Sequence, residues 1–409
     1  MTLNDGFDRT VSEWLDEQAG RGTPGYLDDI LSRTTRSRQR PAWSSLERWL
    51  PMQASRRLAP VPRVVWLLVV LGLVVALGVA VLAAGSQRRL PAPFGIARNG
   101  ALVYGASDGD IYALDPVTNA SKAIITGPTM DSGPYFSRDG SRFLFLRGRS
   151  ALATDRPTLM VANADGSDVR PLTEPLVQFD WIEWSPDGSR VLVSSFSQKT
   201  LQILGVDGTT SPQVLDIGLE PKRVAWRPDG RELVLEGVKA GSHGLYSVRL
   251  DGTGPRAILP STPRDTDWMD LALSPDGTKI AYTKWVDGGQ IHITDVDTGQ
   301  DRTLLFDGTT NNLNPSWSPD GKQLVFLRYF GGYYHAAVAP ATGGPVVLIG
   351  PAMLEGTDGA VAEFSPDGSK VIAFYHADNS TWMLDATGGL GERLPAGIDN
   401  GASWQRTAP

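Results

Sequence analysis

Trp184-Ser185-Pro186-Asp187-Gly188 decides the fold, because the chain repeats it. Variants recur as Phe136-Ser137-Arg138-Asp139-Gly140, Trp226-Arg227-Pro228-Asp229-Gly230, Leu273-Ser274-Pro275-Asp276-Gly277, Trp317-Ser318-Pro319-Asp320-Gly321 and Phe364-Ser365-Pro366-Asp367-Gly368. A weaker copy, Ile96-Ala97-Arg98-Asn99-Gly100, precedes them. Counted at the Asp or Asn, the spacings are 40, 48, 42, 47, 44 and 47 residues. Within each pentad Pro pre-sets φ, Asp bonds nearby backbone and Gly accepts a positive φ, so the segment reverses the chain between antiparallel strands. One such turn per unit at this spacing is the period of β-propeller blades.

The residues around each turn fit that reading. Short apolar runs follow every Gly: Leu102–Tyr104, Phe143–Leu146, Val191–Val193, Leu233–Leu235, Ile280–Tyr282, Leu324–Leu327 and Val371–Phe374. Runs this short and β-rich suit strands buried on both faces. A second strand comes about ten residues later, as in Ile111–Leu114, Leu159–Val161 and Ile291–Ile293. Gly- and Asp-rich turns then lead to a weaker outer strand, as at Val214–Leu215 and Thr303–Leu305. With one strand ahead of the turn, each unit holds four, and seven units make an all-β, seven-bladed propeller. The first unit lacks sequence for its innermost strand, whereas Trp404 stands alone 40 residues after Phe364. The segment Ile398–Arg406 is therefore predicted to pair with Leu102–Tyr104 and seal the first blade, since closure removes open sheet edges.

The aromatic-Ser-Pro-Asp-Gly turn, followed by a strand and a turn such as Asn163-Ala164-Asp165-Gly166, resembles the WD40-like repeat of the Tol-system (TolB-like) periplasmic propeller. The same repeat occurs in the propeller domains of prolyl-oligopeptidase-type proteins. The resemblance covers roughly residues 94–409 and implies the fold; it carries little about activity, because one fold hosts many functions. Two departures stand out: Arg138 replaces the turn Pro, and the first unit lacks both Pro and Asp.

The chain ahead of the repeats differs in kind. Residues 64–85 fall within a stretch of 24 uncharged residues between Arg63 and Arg88. A helix of that length spans the roughly 30 Å hydrocarbon layer, so one transmembrane helix is expected there. Eight Arg lie in residues 33–63, against Arg88, Arg89 and Arg98 after the span. The positive-inside bias places the N-terminus in the cytoplasm and the propeller outside, on a single-pass membrane protein. The expected organisation is thus 1–63 cytosolic and helical, 64–85 transmembrane, 86–95 linker and 96–409 propeller. In the cytosolic segment Thr23-Pro24 opens a helix with Leu27, Ile30 and Leu31 on its apolar side, a candidate surface for a cytosolic protein partner of residues 1–40. Packing of that segment on itself, or on the inner leaflet, is the plainer alternative.

Composition removes other classes. There is no Cys, so disulfides and thiolate metal sites are absent. The net charge of −7 divides into +2 over residues 1–63 (10 Arg, 8 acidic) and −9 beyond (28 basic, 37 acidic), which argues against a nucleic-acid partner. Gly105-Ala106-Ser107-Asp108-Gly109 spells a nucleophile elbow, but an elbow joins a strand to a helix and this pentapeptide lies between two strands. His243, His292, His335 and His376 occur singly, without zinc-site spacing. Asn163–Asp168 and Asp295–Asp301 look like calcium loops but sit where the repeat needs turns. Peptidase activity is not carried over, since no stretch is left for a hydrolase domain. No cofactor, metal or catalytic residue is expected. The expected function is a non-catalytic, membrane-anchored, extracytoplasmic propeller that binds a protein, peptide or envelope ligand. A transmembrane regulator with the layout of an anti-sigma factor is the first alternative, and a propeller-based hydrolase or lyase the second.

Overall fold

The computed structural model describes residues 92, 94–148, 157–173, 181–195, 199–208, 211–251, 253–259, 268–305, 307–354, 360–375, 380–394, 398 and 402–408. The expected cytosolic helices, with Leu27, Ile30 and Leu31, and the expected span 64–85 lie outside these residues. Among the described residues no helix is long and apolar enough to cross a membrane.

The described chain folds into seven four-stranded antiparallel sheets. In the second blade the strands run Met130–Phe136, Arg142–Gly148, Thr158–Asn163 and Arg170–Pro171, from the ring's centre outwards. The repeat turn joins the first two. At Trp184–Gly188 the Ser185 hydroxyl donates to Asp187 Oδ1 at 2.6 Å, the Ser189 N–H donates to the same oxygen at 3.1 Å, and the Arg190 N–H donates to Ser185 Oγ at 2.9 Å. Gly188 takes φ +65°, which explains the Gly. The same Ser–Asp bond recurs at Ser137, Ser274, Ser318 and Ser365. The weak copy at Ile96–Gly100 is not such a turn. Among the described residues no strand precedes it, and Arg98 and Asn99 already pair with Thr407 and Arg406.

The core lies between blades. Leu144, Leu159 and Val161 of the second blade pack against Trp184, Val191 and Leu204 of the third, all nearly or fully buried. Burying one such side chain contributes about 1.5–3 kcal/mol. The repeat aromatic also locks neighbouring blades through a hydrogen bond: Trp184 Nε1 donates to Tyr135 O at 2.9 Å, and Trp317 Nε1 to Ala272 O at 3.0 Å.

The ring closes as the sequence predicts. Ala402–Thr407 becomes the innermost strand of the first blade, with Trp404 opposite Leu102, Ser403 opposite Val103 and Ala402 opposite Tyr104. Trp404 then packs with Leu102, Leu114 and Ile372, bridging the first and last blades.

Candidate functional site

The seven innermost strands line a central channel with a cavity of about 640 Å³. What each blade contributes follows from strand geometry. Each inner strand arrives at the turn motif in the same register, so equivalent residues form rings around the lumen. Three residues before the turn Pro, the ring reads Tyr135, Glu183, Ala225, Ala272, Ser316 and Glu363, with Ser403 of the closing strand in the seventh place. Two residues closer to the strand start stand Gly133, Trp181, Arg223, Asp270, Asn314 and Val361. A bulge between Ser132 and Tyr135, Met269 and Ala272, and Leu313 and Ser316 separates the two levels in those blades. Gly133, Asp270 and Asn314 absorb it at φ between +53° and +62°. At the turn level Pro186, Pro228, Pro275, Pro319 and Pro366 are interrupted by Arg138.

The departure at Arg138 creates the site's central ion pair. Its Nη2 donates to Glu183 Oε1 at 2.9 Å, and the Tyr135 hydroxyl donates to the same carboxylate at 3.2 Å. Burial pushes the Glu183 carboxyl above the usual carboxylate range, and Arg138 only partly offsets it. Burial works against charge on Arg138 too, but Tyr135 and Glu183 outweigh it and hold the guanidinium firmly protonated. Burial and the Glu183 charge push the Tyr135 hydroxyl up, so it stays a donor.

A second pair, Arg223 with Asp270, joins the fourth and fifth blades one level away. Arg223 also lies over the Trp181 ring, 4.6 Å from its centroid. Glu363, from the seventh blade, is open to the lumen yet ringed by protein. Its carboxyl is raised by this enclosure, and the charges acting on it are Arg138, Glu183 and Arg223. Among the described residues it has neither a hydrogen bond nor an ion pair.

The end of the channel at the turns is crossed by the incoming chain. Arg406 Nη2 donates to Ala92 O at 3.0 Å and Gly95 O at 2.8 Å, the Ala97 N–H donates to Pro366 O at 2.9 Å, and Arg138 stacks over Phe94 at 5.2 Å. Burial and Arg138 lower the Arg406 guanidinium to about 10, still charged at neutral pH.

The other sequence candidates are placed elsewhere. Gly105–Gly109 turns from strand Arg98–Gly105 into strand Ile111–Leu114, with the Gly109 N–H donating to Ala106 O, so Ser107 sits in a hairpin and no helix follows. Asp165 and Asp295 cap their own turns through Ser167 and Thr298. Among the described residues no group of three or more His, Asp or Glu is arranged to hold a metal. His243 pairs with Glu236 at 3.0 Å and buried His292 with Asp301 at 2.8 Å, partners distant enough in sequence to be hidden from spacing rules. His335 stacks on Phe330, and His376 lies outside the described residues.

A family model described as the TolB beta propeller domain matches residues 150–406. A TolB homolog of Chlorobium luteolum is 30% identical over 168 residues, 40% of this chain and 36% of that protein. An uncharacterized protein of Agrobacterium fabrum is 27% identical over 186 residues, 40% of this chain and 59% of that one. The chain thus aligns with less than two thirds of either relative's length. Among solved structures, TolB from Acinetobacter baumannii superposes with a TM-score of 0.51 at 19% identity, covering 74% of this chain and 81% of that one. An oligogalacturonate lyase solved in complex with manganese reaches 0.54 at 15% identity, covering 73% and 85%. At such identities these structures share the fold.

Proposed function

This chain belongs to the TolB beta propeller family, and from that premise we propose that it is a non-catalytic propeller that binds a segment of a partner protein in its central channel. The observation that carries this reading is the asymmetry of the lumen rings. Where Ala225, Ala272, Ser316 and Ser403 leave space, Glu183, Glu363 and Tyr135 present polar groups across from them. A concave, partly apolar cavity with a few convergent polar groups is the form of a binding site. Glu183 engages Arg138 as an ion pair and Tyr135 by a hydrogen bond, and among the described residues none of these groups is placed as a nucleophile beside a base.

In the same proposal the propeller is extracytoplasmic and tethered through residues 64–85. The supports are the uncharged run and the Arg asymmetry. Protease added to spheroplasts should then digest propeller loops and spare an N-terminal tag; a cleaved tag with an intact propeller reverses the orientation.

Binding is tested by panning a displayed random-peptide library against the purified full-length chain. Selected peptides should bind the wild type and lose at least about tenfold affinity for Ala272→Trp, which fills the lumen. Equal binding to both proteins would move the site off the channel.

A further inference from the structure

Among the described residues six charged ones line the cavity: Arg138, Glu183, Arg223, Asp270, Glu363 and Arg406. Five have partners. Arg138 binds Glu183, Arg223 binds Asp270, and Arg406 binds the carbonyls of Ala92 and Gly95. Every lumen guanidinium therefore has an acceptor. Among the described residues Glu363 is the lumen carboxylate with neither a hydrogen bond nor an ion pair, whereas the Arg406 charge meets only carbonyls and its Nε is buried without a partner.

A second, independent observation lies beside it. The indole N–H groups of Trp226 and Trp404 are buried without an acceptor. Both residues line the cavity and are 3% and 8% exposed. Trp184 and Trp317, at the same place in the repeat, donate to the carbonyl three residues before the preceding blade's turn position. For Trp226 and Trp404 the residues at that place are Glu183 and Glu363. The locking bond is thus missing at the two blade junctions that follow the lumen glutamates. An unsatisfied buried donor is costly, so these two junctions are the less tightly locked ones beside the lumen glutamates.

We propose that the channel receives a basic side chain, Lys or Arg, carried on an inserted peptide segment, with Glu363 as its carboxylate partner. This rests on the channel-binding reading above and names the chemistry of its ligand. The aliphatic stem of such a side chain lies against Ala225, Ala272 and Ser316, and its charged head reaches the carboxylate. An acidic side chain finds Arg138 and Arg223 already engaged by carboxylates and meets the unpaired Glu363. Arg138 does not compete with the ligand for Glu363, because its described bond is to Glu183.

The test uses the purified full-length chain and three probes: acetyl-Gly-Arg-Gly-amide, its Lys analogue, and its citrulline analogue, which keeps the shape of Arg without the charge. Binding is read by calorimetry or ligand-observed NMR. The Arg and Lys probes should bind at least about tenfold more tightly than the citrulline probe. Glu363→Gln should erase that preference while melting at or above the wild-type temperature, which shows that it folds. Equal affinity for Arg and citrulline probes, or a preference that survives Glu363→Gln, overturns the proposal. The two readings fail differently. Library peptides that lose affinity for Ala272→Trp but carry no Lys or Arg sink the basic-anchor inference alone. Peptides indifferent to Ala272→Trp sink the channel reading as well.

Discussion

Arg138 Nη2 lies 2.9 Å from Glu183 Oε1, so the single turn that lost its Pro supplies the cation for a carboxylate on the next blade. Restoring the repeat is therefore expected to harm the protein. Arg138→Pro suits the turn but strands Glu183, whose side chain is 7% exposed. Breaking a fully buried pair costs 3–5 kcal/mol; with Arg138 37% exposed to the lumen the expected loss is about 2–4 kcal/mol. The double variant Arg138→Pro, Glu183→Ala should recover most of it in a urea melt. No recovery would mean that the arginine acts through its contact with Phe94 instead.

Equivalent glycines of the repeat should respond unequally to Ala. A Cβ on Gly140 would stand 2.0 Å from Arg406 O in the closing strand, whereas one on Gly188 would meet nothing nearer than Asp139 at 3.7 Å. Both have left-handed φ, +66° and +65°, so Gly188→Ala carries the backbone strain alone, about 1–2 kcal/mol. Gly140→Ala should cost clearly more in the same assay. Equal losses would place the closing strand further from the turn than the described geometry does.

Trp404→Ala tests the seam. Truncating a buried Trp costs about 3–5 kcal/mol, and here it also loosens the junction with Leu102 and Ile372. Deleting residues 397–409 uncovers the strand Arg98–Gly105 along its length, and insoluble or sharply less stable protein is expected. An unchanged melting temperature after the deletion would refute closure by this strand.

The turns and the lumen respond oppositely to pH. Asp187, Asp276, Asp320 and Asp367 are held below the ordinary carboxylate value: burial raises each, but the Ser hydroxyl and the following N–H outweigh it. Asp307 and Asp385 lie at about 2. A depressed carboxyl stabilises the fold above its unfolded value near 3.9 and loses that contribution as pH falls through the folded value. Melting temperature should therefore drop from pH 4 to pH 2. Glu183 and Asp270 are raised, chiefly by burial, and Glu363, though open to the lumen, by its enclosure within the channel, so their contribution is lost as pH rises above the unfolded carboxylate value. Glu363→Gln should then melt above wild type at pH 7 and converge with it near pH 4. A variant less stable at pH 7 than at pH 4 relative to wild type contradicts this sign.

The blades and the seam were legible because each rests on a local signal. Trp184–Gly188 writes its own turn, and Trp404 is an aromatic at blade spacing with no unit left to belong to. The lumen was hidden for a geometric reason. Glu183 and Glu363 sit inside strands that look ordinary one at a time, and only superposing the repeats shows two carboxylates at a place that Ala225, Ala272 and Ser316 share. That column was available in the sequence. The pairing of Arg223 with Asp270 was not, because it joins different blades across the channel wall. His292 and Asp301 were obscured likewise, since strand pairing rather than motif spacing brings them together.

The pairing of Arg98 with Thr407 has a mechanical consequence. The chain enters the ring at the start of a strand that is flanked by the closing strand on one side and by Ile111–Leu114 on the other. Its ladder bonds run perpendicular to the strand axis. A pull along that axis from the N-terminal end loads both ladders in shear, so many bonds share the force instead of opening one after another. Tension applied to the chain ahead of Ala97 would thus be carried by the same seam that makes the ring circular.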